Sequence, residues 1–254
     1  MYIENNQIKV VRLALERALS KETLRRRSCV RRVTMELRSL ILMLASIMLC
    51  LVMCTYGTKF LKRRNYLLGI EWWIVGVSGA NFALYWITLS QTSYTIMLYL
   101  DAFSRLFGIP VIGILGMMAV SHAWRPSVGV DVWVFIVSII GTAILLYTEF
   151  FEASLPYIYL VMWYALAAYL CYFSMRLFSN GKTTVAINLS IAIVASTVLH
   201  TAYDFYAIPG DETNIILNFW FLALVVWSYL FSVMYYAYDA LDRASLETHP
   251  ISAT

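Results

Sequence analysis

The sequence predicts an all-α integral membrane protein, a seven-transmembrane-helix bundle with its N-terminus outside and its C-terminus cytoplasmic. Three observations carry that prediction. Of the 254 residues, 61% are hydrophobic and only 13% charged, against roughly 25% charged in an average soluble domain. Apolar runs long enough to cross a bilayer recur from Leu40 to Leu241. The basic residues between those runs fall on alternate connections, as they do when one side of a membrane is cytoplasmic.

The chain divides into a basic extension (1–39), a seven-helix membrane domain (40–241) and a short cytoplasmic tail (242–254). The extension holds ten Lys or Arg, among them Arg25, Arg26, Arg27, Arg31 and Arg32. Its apolar residues Ile8, Val11, Leu13, Leu15, Leu19 and Leu24 are scattered at roughly helical spacing, which suits an amphipathic helix on anionic lipid or in solution. No small-residue cleavage site follows an apolar run, so it does not read as a secretory signal.

The first span is Leu40 to Gly57, short for a bilayer. The second runs from Tyr66 to Leu89 and the third from Ile96 to Val120. The fourth covers Val132 to Phe151, the fifth Tyr157 to Phe178, and the sixth Val185 to Ile208. The seventh, Ile215 to Leu241, is longer than needed and is expected to tilt or reach into water. Inside the third, Pro110 lacks a backbone donor and predicts a kink. Gly76, Ser78, Gly79 and Ala80 mark where the second span admits a close neighbour. Cys50 and Cys54, one turn apart in the first span, read as small apolar residues.

Loop charge sets the orientation. The connections after the first, third and fifth spans and the tail carry Lys59, Lys62, Arg63, Arg64, Arg125, Arg176, Lys182 and Arg243. The others carry no Lys or Arg and hold Glu149, Glu152, Asp211 and Glu212. The basic side is cytoplasmic, which places the residues before Leu40 outside. A basic extension resists that position. Translation starting at Met35 would remove the conflict; an additional membrane-associated element, or a first segment that does not cross, are the alternatives.

Seven spans with the amino end outside resemble microbial rhodopsins in topology. Retinal attachment requires a lysine in the last span, and none of the seven spans contains one. Small sugar carriers share the topology, but their proline-glutamine signature is absent. Ser196, His200 and Asp204 have a spacing similar to that of zinc-binding membrane hydrolases. No second core histidine accompanies them, and zinc needs three or four ligands. No metal or cofactor is expected.

Charges at membrane depth are costly and usually face a partner or a wet cavity. Asp101 and Arg105 lie four residues apart and share a helix face. By helix rise, Asp101 is roughly 10 Å below the outer surface and Arg105 roughly 6 Å deeper. The sixth span brings Asp204 and His200 to roughly 6 and 12 Å from the same side. Asn81 and Tyr85 of the second span, Trp163 of the fifth, and Asn218 and Trp220 of the seventh reach comparable levels. These nine residues are the predicted ligand site, a pocket floored near Pro110. Two structural ion pairs that lock helices together leave the same pattern. Glu71 enters the second span from the inner side and is expected to pair with Arg63 or Arg64. Asp239, Asp242 and Arg243 read as a solvated helix end.

The expected function is a small-molecule transporter or permease. A non-enzymatic sensor or accessory subunit is the alternative, and a lipid-modifying enzyme using His200 and Asp204 a more distant one. Expected partners are membrane lipid and a small polar or amphipathic ligand, with a homo-oligomer or partner membrane protein left open and nucleic acid excluded. The expected location is the cell membrane, the inner one in a bacterium.

Overall fold

The computed structural model describes residues 37–203, 205–206, 214 and 218–248. The extension, the Met35 start and Asp204 lie outside the described residues. Among the described residues there is no strand, and seven helices are long and apolar enough to span a membrane. They are α1 (Leu37–Lys62), α2 (Tyr66–Thr88), α3 (Gln91–Ser121), α4 (Val128–Tyr147), α5 (Leu155–Ser179), α6 (Thr183–Tyr203) and α7 (Phe219–Thr248).

Side-chain caps explain where several helices begin. Asn65 accepts from the Leu68 N–H and starts α2. Its amide also donates to the Gly116 carbonyl at 2.8 Å and to the Tyr238 hydroxyl at 3.2 Å. One residue thus ties α2, α3 and α7 together. Ser90 accepts from the Ser93 N–H, so α3 starts five residues before the sequence expectation. Ser127 does the same for α4, which starts four residues early. Leu89 closes α2 in the left-handed region (φ 53°), leaving residues 89–90 as the whole turn to α3.

The first span is not short. Its helix continues to Lys62, with the Thr58 hydroxyl donating to the Cys54 carbonyl at 2.7 Å. Lys59 lies 4.9 and 5.1 Å from the ring centres of Tyr56 and Tyr235, so its charge stays on the helix while its stem covers apolar surface. At the other end of the sequence, α7 runs through to Thr248.

Gly76 and Gly79 of α2 face α1. A side chain at Gly76 would press on Cys54, and one at Gly79 on the Ser46 carbonyl. Phe60, Trp72, Phe231 and Tyr238 interlock edge to face with ring centres 5.0–5.4 Å apart, closing α1 and α2 onto α7. Further round, α5 packs on α6 and α6 on α7. The outer surface is apolar: Leu51, Trp133, Val137, Val161 and Val198 are exposed, as a lipid-facing side requires. α4 is the least buried helix.

α3 is the hub. Ser104–Gly113, with Pro110 inside it, is wound as a π-helix, and this stretch touches α2, α4 and α5. The irregularity expected at Pro110 takes the form of a wider winding. A π turn shifts the hydrogen-bond ladder from i→i−4 to i→i−5, which accommodates a residue without an N–H.

Candidate functional site

A cleft opens between α1, α2, α3, α6 and α7, with about 540 Å³ of atom-free space including its mouth. Its polar wall is made by Asp101, Ser104 and Arg105 of α3 and His200 of α6. Ser78 of α2 lines it too, its hydroxyl turned to the Met97 carbonyl at 3.3 Å. The rest is apolar: Val75, Phe82, Ile109, Leu224 and Phe231, with Trp220 and Trp227 from α7.

Arg105 is held on both sides. Its guanidinium is 3.9 Å from the Asp101 carboxylate and lies over the Tyr159 ring of α5, 3.8 Å from its centre. The ring face takes a cation that lipid could not. Asp101 stands on the ordinary α part of α3 and Arg105 on the π part.

His200 is buried and stacked flat on Trp163, with ring centres 3.5 Å apart and planes 5° from parallel. Trp163 is pinned by its indole N–H, which donates to the Thr197 hydroxyl at 3.3 Å. His200 Nδ1 lies 3.0 Å from the Ser196 carbonyl. A carbonyl only accepts, so Nδ1 carries the hydrogen. In the neutral ring Nε2 then bears the lone pair and is an acceptor. Arg105 supplies donors and Asp101 acceptors.

Of the nine predicted residues, four line the cleft: Asp101, Arg105, His200 and Trp220. Trp163 stands behind His200 and positions it. Three are placed elsewhere. Asn81 spends its amide on the Val77 carbonyl of its own helix, a local bond open to a polar side chain inside a helix. Tyr85 packs on Trp86 and Tyr94 beside the α2–α3 turn. Asn218 is buried and accepts from the Phe221 N–H at 2.9 Å, so it caps α7. Asp204, the ninth, lies outside the described residues.

Glu71 and Asp239 are corrected. Glu71 makes no pair with Arg63 or Arg64; it is fully buried against Gly108 of the π stretch. Arg63 bonds Asp239 instead and approaches Asp242 at 3.6 Å, while Arg243 holds Asp239 at 2.8 Å. This end of α7 is an ion-pair cluster joined to the α1–α2 turn, not a solvated tip. Ser78 and Ser104 went unpredicted because an isolated serine in an apolar run gives no signal. Glu71 had one: its distance from Asn65, roughly 9 Å along the helix, is long for a loop arginine.

Among the described residues no three His, Cys, Asp or Glu side chains are grouped to hold a metal. The cleft sets the ionisable groups of Asp101, Arg105 and His200 against an apolar wall drawn from α2 and α7. Comparison with protein families, curated proteins and solved structures finds nothing that matches this chain.

Proposed function

We propose that this multi-pass membrane protein is a transporter or permease for a small amphipathic molecule, which it binds in the cleft. The observation that carries the reading is the meeting of an ion pair and a histidine in an otherwise apolar cleft, against a helix wound as π at that level. Ionisable groups at membrane depth commonly serve a substrate or ion path, and interrupted helices recur at transporter sites. Loop charge favours the cell membrane, the inner one in a bacterium, with the basic connections and the tail in the cytoplasm.

The test is uptake into proteoliposomes across a panel of labelled amphipathic cations, anions and zwitterions. At least one solute is expected to accumulate or exchange. Asp101→Asn is expected to lower that uptake at least tenfold at unchanged expression. Binding without uptake by any solute would turn the cleft into a sensor's site and end the transport reading.

A further inference from the structure

Glu71 is not part of the cleft wall, but it lies next to it. Its side chain is 0% exposed, and among the described residues neither carboxyl oxygen has a hydrogen-bond partner. It rests on Gly108, where a methyl group would overlap the carboxyl. The Ser104 hydroxyl, buried and likewise without a hydrogen-bond partner among the described residues, is the polar side chain beside it. Among the described residues no charged side chain acts on it. On α3, Arg105 is engaged with Asp101 and Tyr159. On α1, Cys50 and Cys54 face each other and Lys59 lies over Tyr56 and Tyr235. On α4, Asp131 lines a cavity with Arg64 and Arg125; on α7, Asp239 is held by Arg63 and Arg243.

A bare carboxylate in such surroundings is strongly disfavoured, so it must take up a cation. A metal ion asks for several ligands, and among the described residues Glu71 is in no group of three His, Cys, Asp or Glu side chains that could hold one. A proton asks for one.

Position gives the proton a route. Leu67, Glu71, Val75 and Ser78 share one face of α2 by helical spacing. Val75 and Ser78 line the cleft. Leu67 lines a second, open cavity at the basic end of the bundle, with about 350 Å³ of atom-free space including its mouth. On α3, Ser104 and Ile109 line the cleft on either side of Gly108, which meets Glu71, and Leu115 and Gly116 line the second cavity. Glu71 therefore stands between two cavities, one helical turn or ~6 Å from the lining of each along α2.

We propose that Glu71 is a proton-binding site occluded between these cavities, loaded from one and discharged into the other, and that it couples a proton to the transport proposed above. The O–H bond forms with a proton from water on one side and breaks to water on the other. Only the coupling rests on the transport reading.

Infrared difference spectra of the full chain in lipid, wild type against Glu71→Gln, test the site. The wild type is expected to show the C=O band of a protonated carboxyl near neutral pH, shifting down in D₂O and missing in the variant. If Glu71→Gln does not fold, Glu71→Asp serves, and the band must then move. Three outcomes overturn the site: no protonated band, a band that never exchanges in D₂O, or a band replaced by the carboxylate signal on adding Na⁺. Vesicle uptake then separates the two proposals. Solute uptake indifferent to an imposed pH gradient ends the coupling and leaves transport standing. An exchanging Glu71 band with no solute uptake leaves the proton site standing and ends transport.

Discussion

Glu71 and His200 show how burial alone changes what a polar side chain does. The Glu71 carboxyl occupies the space that a Cβ on Gly108 would need, so a side chain there must displace it from its buried place. Gly108→Ala is therefore expected to destabilise by about 1–3 kcal/mol, the cost of overpacking a filled interior. Pairing it with Glu71→Ala should recover most of that loss, since the second change empties the contested space; thermal unfolding in detergent measures both. His200 depends on the flat ring behind it. Trp163→Ala should cost about 3–5 kcal/mol as a buried aromatic truncation. Trp163→Phe keeps a ring against the imidazole and is expected to lose less than half as much by the same measurement.

α3 is held at both ends of its π stretch. At one end Arg105 is fastened between Asp101 and Tyr159. At the other, Gly116 lies against Leu68 and its carbonyl accepts from Asn65. Rewinding the stretch as α-helix would change the register by a residue and turn everything beyond it by about 100°, breaking one set of contacts or the other. The winding thus belongs to the packing as much as to Pro110. Pro110→Ala in a straight helix would gain about 3 kcal/mol. Here it is expected to change stability by less than about 1 kcal/mol, because the tertiary contacts oppose rewinding. A gain near the full value, read by calorimetry, would show that the proline alone holds the π turn.

Across the whole bundle, the two ends are built differently. The end with the basic connections is laced by ions: Arg63 joins the α1–α2 turn to Asp239 and Asp242 of α7. Arg63 and Asp239 are 30% and 14% exposed, so a double-mutant cycle with Arg63→Ala and Asp239→Ala should give a coupling of about 0.5–1 kcal/mol, shrinking in high salt. The opposite end has a two-residue α2–α3 turn capped by Ser90. In a cysteine-free background, an impermeant maleimide added to intact cells is expected to label Ser90→Cys and to reach Lys62→Cys only after lysis. Labelling with the opposite preference would invert the orientation that loop charge favours.

Seven apolar runs, their approximate limits and the level of Asp101, Arg105 and His200 were all legible in the sequence, because helix rise and hydropathy are local properties. Depth located the polar wall of the cleft but not which way each side chain turns. That is why Asn81, Tyr85 and Asn218, expected at the same level, point to their own helix, to a neighbouring tyrosine or to a helix start. Helix limits slipped by up to five residues where a serine cap extended them. Rotation about a helix axis, the choice of neighbour and the ladder shift at Ser104–Gly113 were decided only by tertiary structure. They follow from how seven surfaces fill space together, and a chain read one residue at a time holds no term for that. Glu71 makes the difference plain: composition marks it as a charge entering a membrane span, and only the glycine facing it from another helix shows where it went.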